Sequence, residues 1–524
     1  MHRVIAAFVV VGLVASVSAR QVAGEDAALA AIRAEGLERS QVMDTLFWLT
    51  DRHGPRLTGS PGFEEAGDFV VARLESWGTA NVRRERFPYG TGWELVRFSA
   101  QMVEPRVMPI IGMPKAWTPG TNGPVTADVV LADLRTAADA AALAGTLRGR
   151  IVLSQPAREV RMLDGRIVLR MNDKDIEEAL APVSQDEEPE TPATPPPADA
   201  LTRAEIADFF VKEGVAAVID RGSDAFTVSG GSDLSWQTQR VDGGTVFVGG
   251  APRTVAPEDT VPQITIAVEH YNRMVRLLEH GVPVRMTLDV ETKYHPEDPA
   301  RPNGFNVIAD IPGTDKADEV VLIGAHLDSW HGATGATDNA TGVAAMMEAM
   351  RILKQTGLAP RRTIRIGLWG GEENGLLGSR HYVRTHLGTR QAPQPGLAKH
   401  VAYFNIDNGT GRVRGVWMQE NDAAMAVFRD WIAPLRDLGV ELLSPRRVTS
   451  TDHVAFDAVG VPGFQFIQER YEYRSRTHHS TMDFYDRVQE EDLKQIATVA
   501  ATFAWKAANA DEPLPRRNPV YDLR

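Results

Sequence analysis

Among the 524 residues there is no cysteine. Disulfides, thiolate nucleophiles and cysteine-ligated metals are therefore excluded, and any metal must be held by histidine, aspartate and glutamate. An excess of positive charge is missing as well: 56 Lys and Arg stand against 69 Asp and Glu, a net charge of −13. That balance argues against a nucleic acid or an anionic membrane surface as the main ligand. Long apolar runs are scarce. The run from Val4 to Val14 is short for a bilayer, follows the basic Arg3 and precedes the small residues Val17-Ser18-Ala19. It reads as a signal peptide, residues 1–19, so the mature protein is expected to be exported, periplasmic or extracellular, and free of the membrane. Without cysteine it cannot be a lipid-anchored lipoprotein. What remains is an ordinary globular composition, 43% hydrophobic and 24% charged, with length for two or three domains.

Along the chain the texture changes twice. Residues 20–117 begin the main domain, with helical spacing at 27–32, 42–49 and 63–77 and a turn-rich loop, Gly54 to Pro61, before the last of these. Residues 118–283 hold short strand candidates, among them Ala127–Leu131, Arg150–Ser154, Ala216–Asp220, Gly244–Val248 and Gln263–Ala267. They read as a small, mainly-β domain inserted into the main one. Within it 184–199, SQDEEPETPATPPPAD, is acidic and proline-rich, and is expected to be a flexible surface loop. Residues 284–510 alternate strand and helix, which predicts an α/β fold, a central sheet covered by helices, with sites at the carboxyl ends of strands. Residues 511–524 form a tail.

The chemistry gathers at those strand ends. Val320–Ile323 runs into His326 and Asp328, with Asp338 before a helix; Thr363–Leu368 runs into Glu372-Glu373; Val401–Ile406 runs into Asp407; His478-His479 follows a late aromatic loop. His326, Asp338, Glu373, Asp407 and His479 are thus candidate ligands. Two imidazoles and three carboxylates suit a pair of zinc ions sharing one carboxylate. Adjacent side chains at a strand end point opposite ways, so one of Glu372 and Glu373 can bind metal while the other moves protons.

The motifs GAHLDSW, DNATG, GGEENGLLGS, FNIDNG, TDHVAF with GVPG, and HHSTMD resemble those of the co-catalytic di-zinc exopeptidases, which include leucyl aminopeptidases and glutamate carboxypeptidase. GPRLTGS, MVEPR at 102–106 and the His-His-Ser before Asp483 are similar to the secreted glutamate carboxypeptidase-like dipeptidases. The resemblance, over roughly 40–510, implies a mixed α/β zinc exopeptidase fold, phosphorylase/hydrolase-like, with an inserted protease-associated domain. It implies two zinc ions per chain: Asp338 bridging, His326 and Asp407 on one, Glu373 and His479 on the other. It makes Glu372 the general base toward a metal-bridging hydroxide, has Asp328 orienting His326, prefers His479 to His478, and implies a cis Asp338–Asn339 peptide. Peptide-bond hydrolysis at chain termini or in dipeptides follows, of aminopeptidase, dipeptidase or carboxypeptidase type. Tyr471, Tyr473 and Arg474 are candidate substrate contacts, with Arg470 and Arg476 further cations on the same loop. His331 is expected at the rim of the site, and His381, His386 and His400 on the surface. The alternatives are a one-zinc acyltransferase of glutaminyl cyclase type and a non-catalytic receptor-like binding protein. The inserted domain is a candidate for gating or for a homodimer contact.

Overall fold

A computed structural model of the chain describes residues 24–160, 170–181, 197–222 and 241–517. The expected signal peptide, nearly all of the acidic loop at 184–199 and the last seven residues of the tail lie outside the described residues. Among the described residues, no helix is long and apolar enough to cross a membrane.

Two eight-stranded sheets organise the chain. The first runs, edge to edge, through Ala80–Phe87, Gly304–Ile311, Arg362–Trp369, Lys316–His326, His400–Asn405, Gly463–Gln468, Val413–Trp417 and Leu442–Ser444. Its four middle strands, from Arg362–Trp369 to Gly463–Gln468, are mutually parallel, and its outer pairings are mostly antiparallel. The strands Gly304–Ile311 and His400–Asn405 are buried at every position, as expected where helices cover both faces. On one face lies the helix Thr341–Gln355, buried from Thr341 to Leu353, with the terminal helix Glu490–Asn509 packed along it. On the other, Trp369, Tyr382, Tyr403 and Phe456 form an aromatic cluster beneath the helices Leu377–Tyr382 and His453–Asp457. Because the central strands are parallel, their carboxyl ends open on one edge, and that edge holds His326, Glu372-Glu373, Asp407 and the approach to His479.

The second sheet is wider in sequence than the expected 118–283. It is built on two long antiparallel strands outside that span, Gly92–Glu104 and Arg285–His295, with Val125–Leu131, Ile151–Leu153, Ala217–Asp220 and Gln263–Ile266 continuing from the latter. Gly92–Glu104 mixes buried and exposed positions without clean alternation, and its register against Arg285–His295 shifts twice, so it carries no period of two to read. The helices Ala137–Leu143, Arg203–Glu213 and Val268–Glu279 accompany the sheet. Gly244–Val248, expected as a strand, is not part of it. That segment leaves the sheet and reaches the loop bearing His479, where Phe247 bridges Ser480.

Candidate active site

Asp338 sits at the centre of the site. Its Oδ1 lies 3.3 Å from His326 Nε2 and its Oδ2 lies 3.3 Å from His479 Nε2. His326 Nε2 is also 3.2 Å from Asp407 Oδ1, and His479 Nε2 is 3.0 Å from Glu373 Oε2. One carboxylate therefore faces two separate ligand groups, one on each oxygen. Two groups of three metal-ligating side chains are present, His326 with Asp338 and Asp407, and Asp338 with His478 and His479. His478, set second to His479 from the sequence, comes to the same carboxylate oxygen at 3.9 Å, its ring stacked on that of His479 at 3.8 Å.

The donor set fits divalent cations. Asp338 Oδ2 and Glu373 Oε1 are buried and receive no hydrogen bond, a costly state for a carboxylate unless a cation faces it. Burial opposes the charge on Asp338, but the imidazoles of His326 and His479 beside it hold it well below the usual carboxylate range. Burial and then the Asp338 charge push Glu373 up to about 7. Burial works against the charged form of His479, yet Glu373 and Asp338 outweigh it and raise the imidazole to about 10. Neutralising this concentration of buried carboxylate charge is the role two cations would take.

The local sequence explains the geometry. His326 Nδ1 donates to the Asp328 main-chain carbonyl at 3.0 Å, which leaves the Nε2 lone pair pointing at Asp338 and Asp407. The Asp328 carboxylate is farther from that ring, 3.6 Å, and accepts instead the main-chain N–H of Glu372 at 3.2 Å. The Asp338–Asn339 peptide is cis, as the motif resemblance implies. Asn339 then ties the following helix to the end of the next strand: its Nδ2 donates to the Ile406 carbonyl at 2.9 Å, and its Oδ1 accepts from Gly342 N at 3.1 Å. A Cβ on Gly342 would lie 2.3 Å from Asn339 Oδ1 and 2.8 Å from the Ile406 carbonyl, so only glycine fits there.

Two supporting residues were not singled out from the sequence. Asp483 accepts the N–H groups of Thr337 at 2.7 Å and Asp338 at 3.1 Å, one on each oxygen, and so fixes the main chain of the bridging residue. Arg56 is fully buried and donates to four main-chain carbonyls, those of Leu49, Leu327, Thr334 and Gly335, at 2.8–2.9 Å. It pins both ends of the loop between His326 and Asp338.

Other expectations change. His331 is not at the rim: it is buried, its ring Nε2 donates to the Pro114 carbonyl at 2.7 Å, and burial lowers it to about 4. His400 is buried on its strand rather than on the surface. Tyr471 gives its hydroxyl to Asp492, with Arg170 stacked over its ring, so it is turned to a different partner. Tyr473 is buried with its ring edge-on to His478 at 4.9 Å, and Arg474 stacks over it at 5.4 Å.

Comparison with known proteins agrees with this geometry. Residues 306–504, which span all five candidate ligands, match the profile of Peptidase family M28. Carboxypeptidase Q of Mus musculus is 27% identical over 486 residues, covering 92% of this chain and 88% of that protein. Aminopeptidase YwaD of Bacillus subtilis is 28% identical over 207 residues, 38% of this chain and 44% of its own. Among solved structures, a peptidase M28 precursor from Shewanella amazonensis superposes with a TM-score of 0.66 at 25% identity, covering 94% of this chain and 100% of that one. A zinc aminopeptidase of Bacillus subtilis shares the fold, with a TM-score of 0.53 at 18% identity over 90% of this chain and 95% of that one. Residues 306–504 thus match peptidase family M28, the co-catalytic zinc exopeptidases, and the chain is similar to peptidases of that kind along most of its length.

Proposed function

We propose that the chain is an exported two-zinc exopeptidase that hydrolyses peptide bonds at chain termini or in dipeptides, with Glu372 as general base. The reading rests above all on Asp338, whose two oxygens each meet a different histidine at 3.3 Å. Asp338, His326 and Asp407 would hold one ion; Asp338, His479 and Glu373 the other. When bound, such a pair supplies a Lewis acid for the scissile carbonyl and an acidified water.

Glu372 is the carboxylate left over for proton transfer. It lies 4.0 Å from His326 Nε2, beside the ligand group without completing it, and only 10% of its side chain is exposed. Burial, and the neighbouring Asp407 and Asp452 against the pull of His326, raise its pKa well above the usual carboxylate range. A carboxylate so raised accepts a proton readily. It takes one from the attacking water and returns it to the leaving amine nitrogen. The hydrogen bond from its main-chain N–H to Asp328 fixes where it stands.

Glu372→Ala is expected to lower turnover by about 10²–10⁴-fold while zinc content stays at the parental value. Retention of most activity would remove Glu372 from the base role. Terminal preference is read by comparing free, N-blocked and C-amidated dipeptides. Of the loop cations proposed for a substrate carboxylate, Arg476 pairs with Glu472 at 3.0 Å and Arg474 stacks on Tyr473, while Arg470 is buried and brought down to about 9 by that burial. Hydrolysis that requires a free amine and tolerates a C-terminal amide is the outcome this loop favours.

A further inference from the structure

We infer that the segment 241–250, which belongs to the second-sheet half of the molecule, is a positioning arm for His479 and so controls the affinity of one of the two ion positions. The inference rests on the two-zinc reading above. Where Phe247 bridges Ser480 the arm runs antiparallel to the ligand loop, and it is bonded to that loop through the main chain. Val241 N–H donates to the Ser475 carbonyl at 2.8 Å, Val248 N–H to the His479 carbonyl at 2.7 Å, and Thr481 N–H to the Val246 carbonyl at 2.9 Å. Val246 N–H also reaches Thr481 Oγ1 at 3.2 Å. His479 needs such support, because its φ is +53°, a left-handed conformation that residues with a Cβ seldom hold unaided. Its own loop is a single wide turn, Tyr473–Thr477, with no sheet partner in the first layer.

The arm also presses on the other side of the site. Val248 packs against Gly332, where an added Cβ would meet Val248 Cγ1 at 2.5 Å. Trp330 stands edge-on between the second layer's Trp117, at 6.1 Å between ring centroids, and His479, at 6.0 Å. By contrast, His326 ends a strand in the middle of the first sheet, and Asp407 follows the next strand directly. The position held by His326 and Asp407 is therefore built by the first sheet, whereas the position held by His479 and Glu373 leans on the arm.

The test is the zinc affinity of the full chain, read by competition with a chromophoric chelator. Val248→Pro deletes the N–H that holds His479, and Val248→Ala keeps it. Val248→Pro is expected to bind one zinc with parental affinity and the second about 10–100-fold more weakly, the usual range when support of a metal ligand is removed. Val248→Ala should bind both nearly as the parent does. In a His479→Ala background, Val248→Pro should leave the remaining zinc unchanged, because its only target is already gone. Should Val248→Pro fail to fold by circular dichroism, Gly332→Ala, which displaces the arm through Val248, takes its place with the same expectation. A folded variant that keeps both zinc ions at parental affinity, or that weakens both equally, overturns the inference. A parent chain that does not bind two zinc ions overturns the two-zinc reading instead.

Discussion

His400 illustrates how a single buried side chain sets a pH limit. Its Nδ1 donates to the Gly396 carbonyl at 2.9 Å, so its Nε2 is the acceptor for the Tyr382 hydroxyl at 2.9 Å. Protonation would set donor against donor, and burial, with Arg365 nearby, lowers the ring to about 4. A base whose folded pKa lies below its unfolded value of ~6.5 stabilises the fold above that value and loses the contribution as pH falls toward the folded one. His453, also brought down to about 4 by burial, has the same sign. The melting-temperature advantage of the parent over His400→Gln should therefore shrink as pH drops from about 6.5 to 4, and a difference that does not change with pH would sink the assignment. Arg56 makes a second claim at this scale. Arg56→Met removes the side-chain donor from four carbonyls and should cost about 3–5 kcal/mol in urea unfolding. A loss below 1 kcal/mol would show that the loop holds without it. Four of the candidate ligands were legible because each follows a strand or precedes a helix with glycine nearby, whereas His479 rests on the motif resemblance. Arg56 and Asp483 were not, because they act on main-chain atoms hundreds of residues away, and no local pattern encodes such a partner.

Among the elements, the helix Thr341–Gln355 carries the most weight, since it starts just after the bridging Asp338 and is buried through nearly its whole length. Its inward Glu348 is fully buried and matched on both sides. Arg351 donates to it at 2.8 Å, and Ser40 Oγ and Gln41 N–H each donate at 2.9 Å. Arg351 in turn reaches Glu35 at 2.6 Å. The cluster ties the N-terminal helices 24–38 and Val42–Phe47 to the back of the site helix. Glu348→Ala strands a buried guanidinium with half its partners and should destabilise by about 3–5 kcal/mol. Double-mutant coupling with Arg351→Met near zero would contradict the pairing. The alternating strand and helix order of 284–510 was readable because its central strands are short apolar runs set between segments of helical spacing. The second sheet was harder: its longest strands lie at 92–104 and 285–295, on either side of the insertion they support, and the first of them does not alternate cleanly.

At the scale of the whole molecule, two sheets share one site. The first carries four of the five candidate ligands at or near the ends of its parallel strands. The second reaches across to the loop bearing the fifth. The kind of chemistry was visible in a chain without cysteine that spends its histidines and carboxylates at strand ends. The cooperation between layers was not, since the arm at 241–250 makes its contacts with main-chain atoms and through Val248, a residue with no chemistry of its own. Asp338 joins both ion positions, so metal content is the decisive quantity. Elemental analysis of the zinc-reconstituted parent and of Asp338→Ala, both shown to be folded, should give two zinc ions per chain for the parent and less than one for the variant. One zinc in the parent, or two retained without Asp338, would contradict a shared carboxylate at the centre of the site.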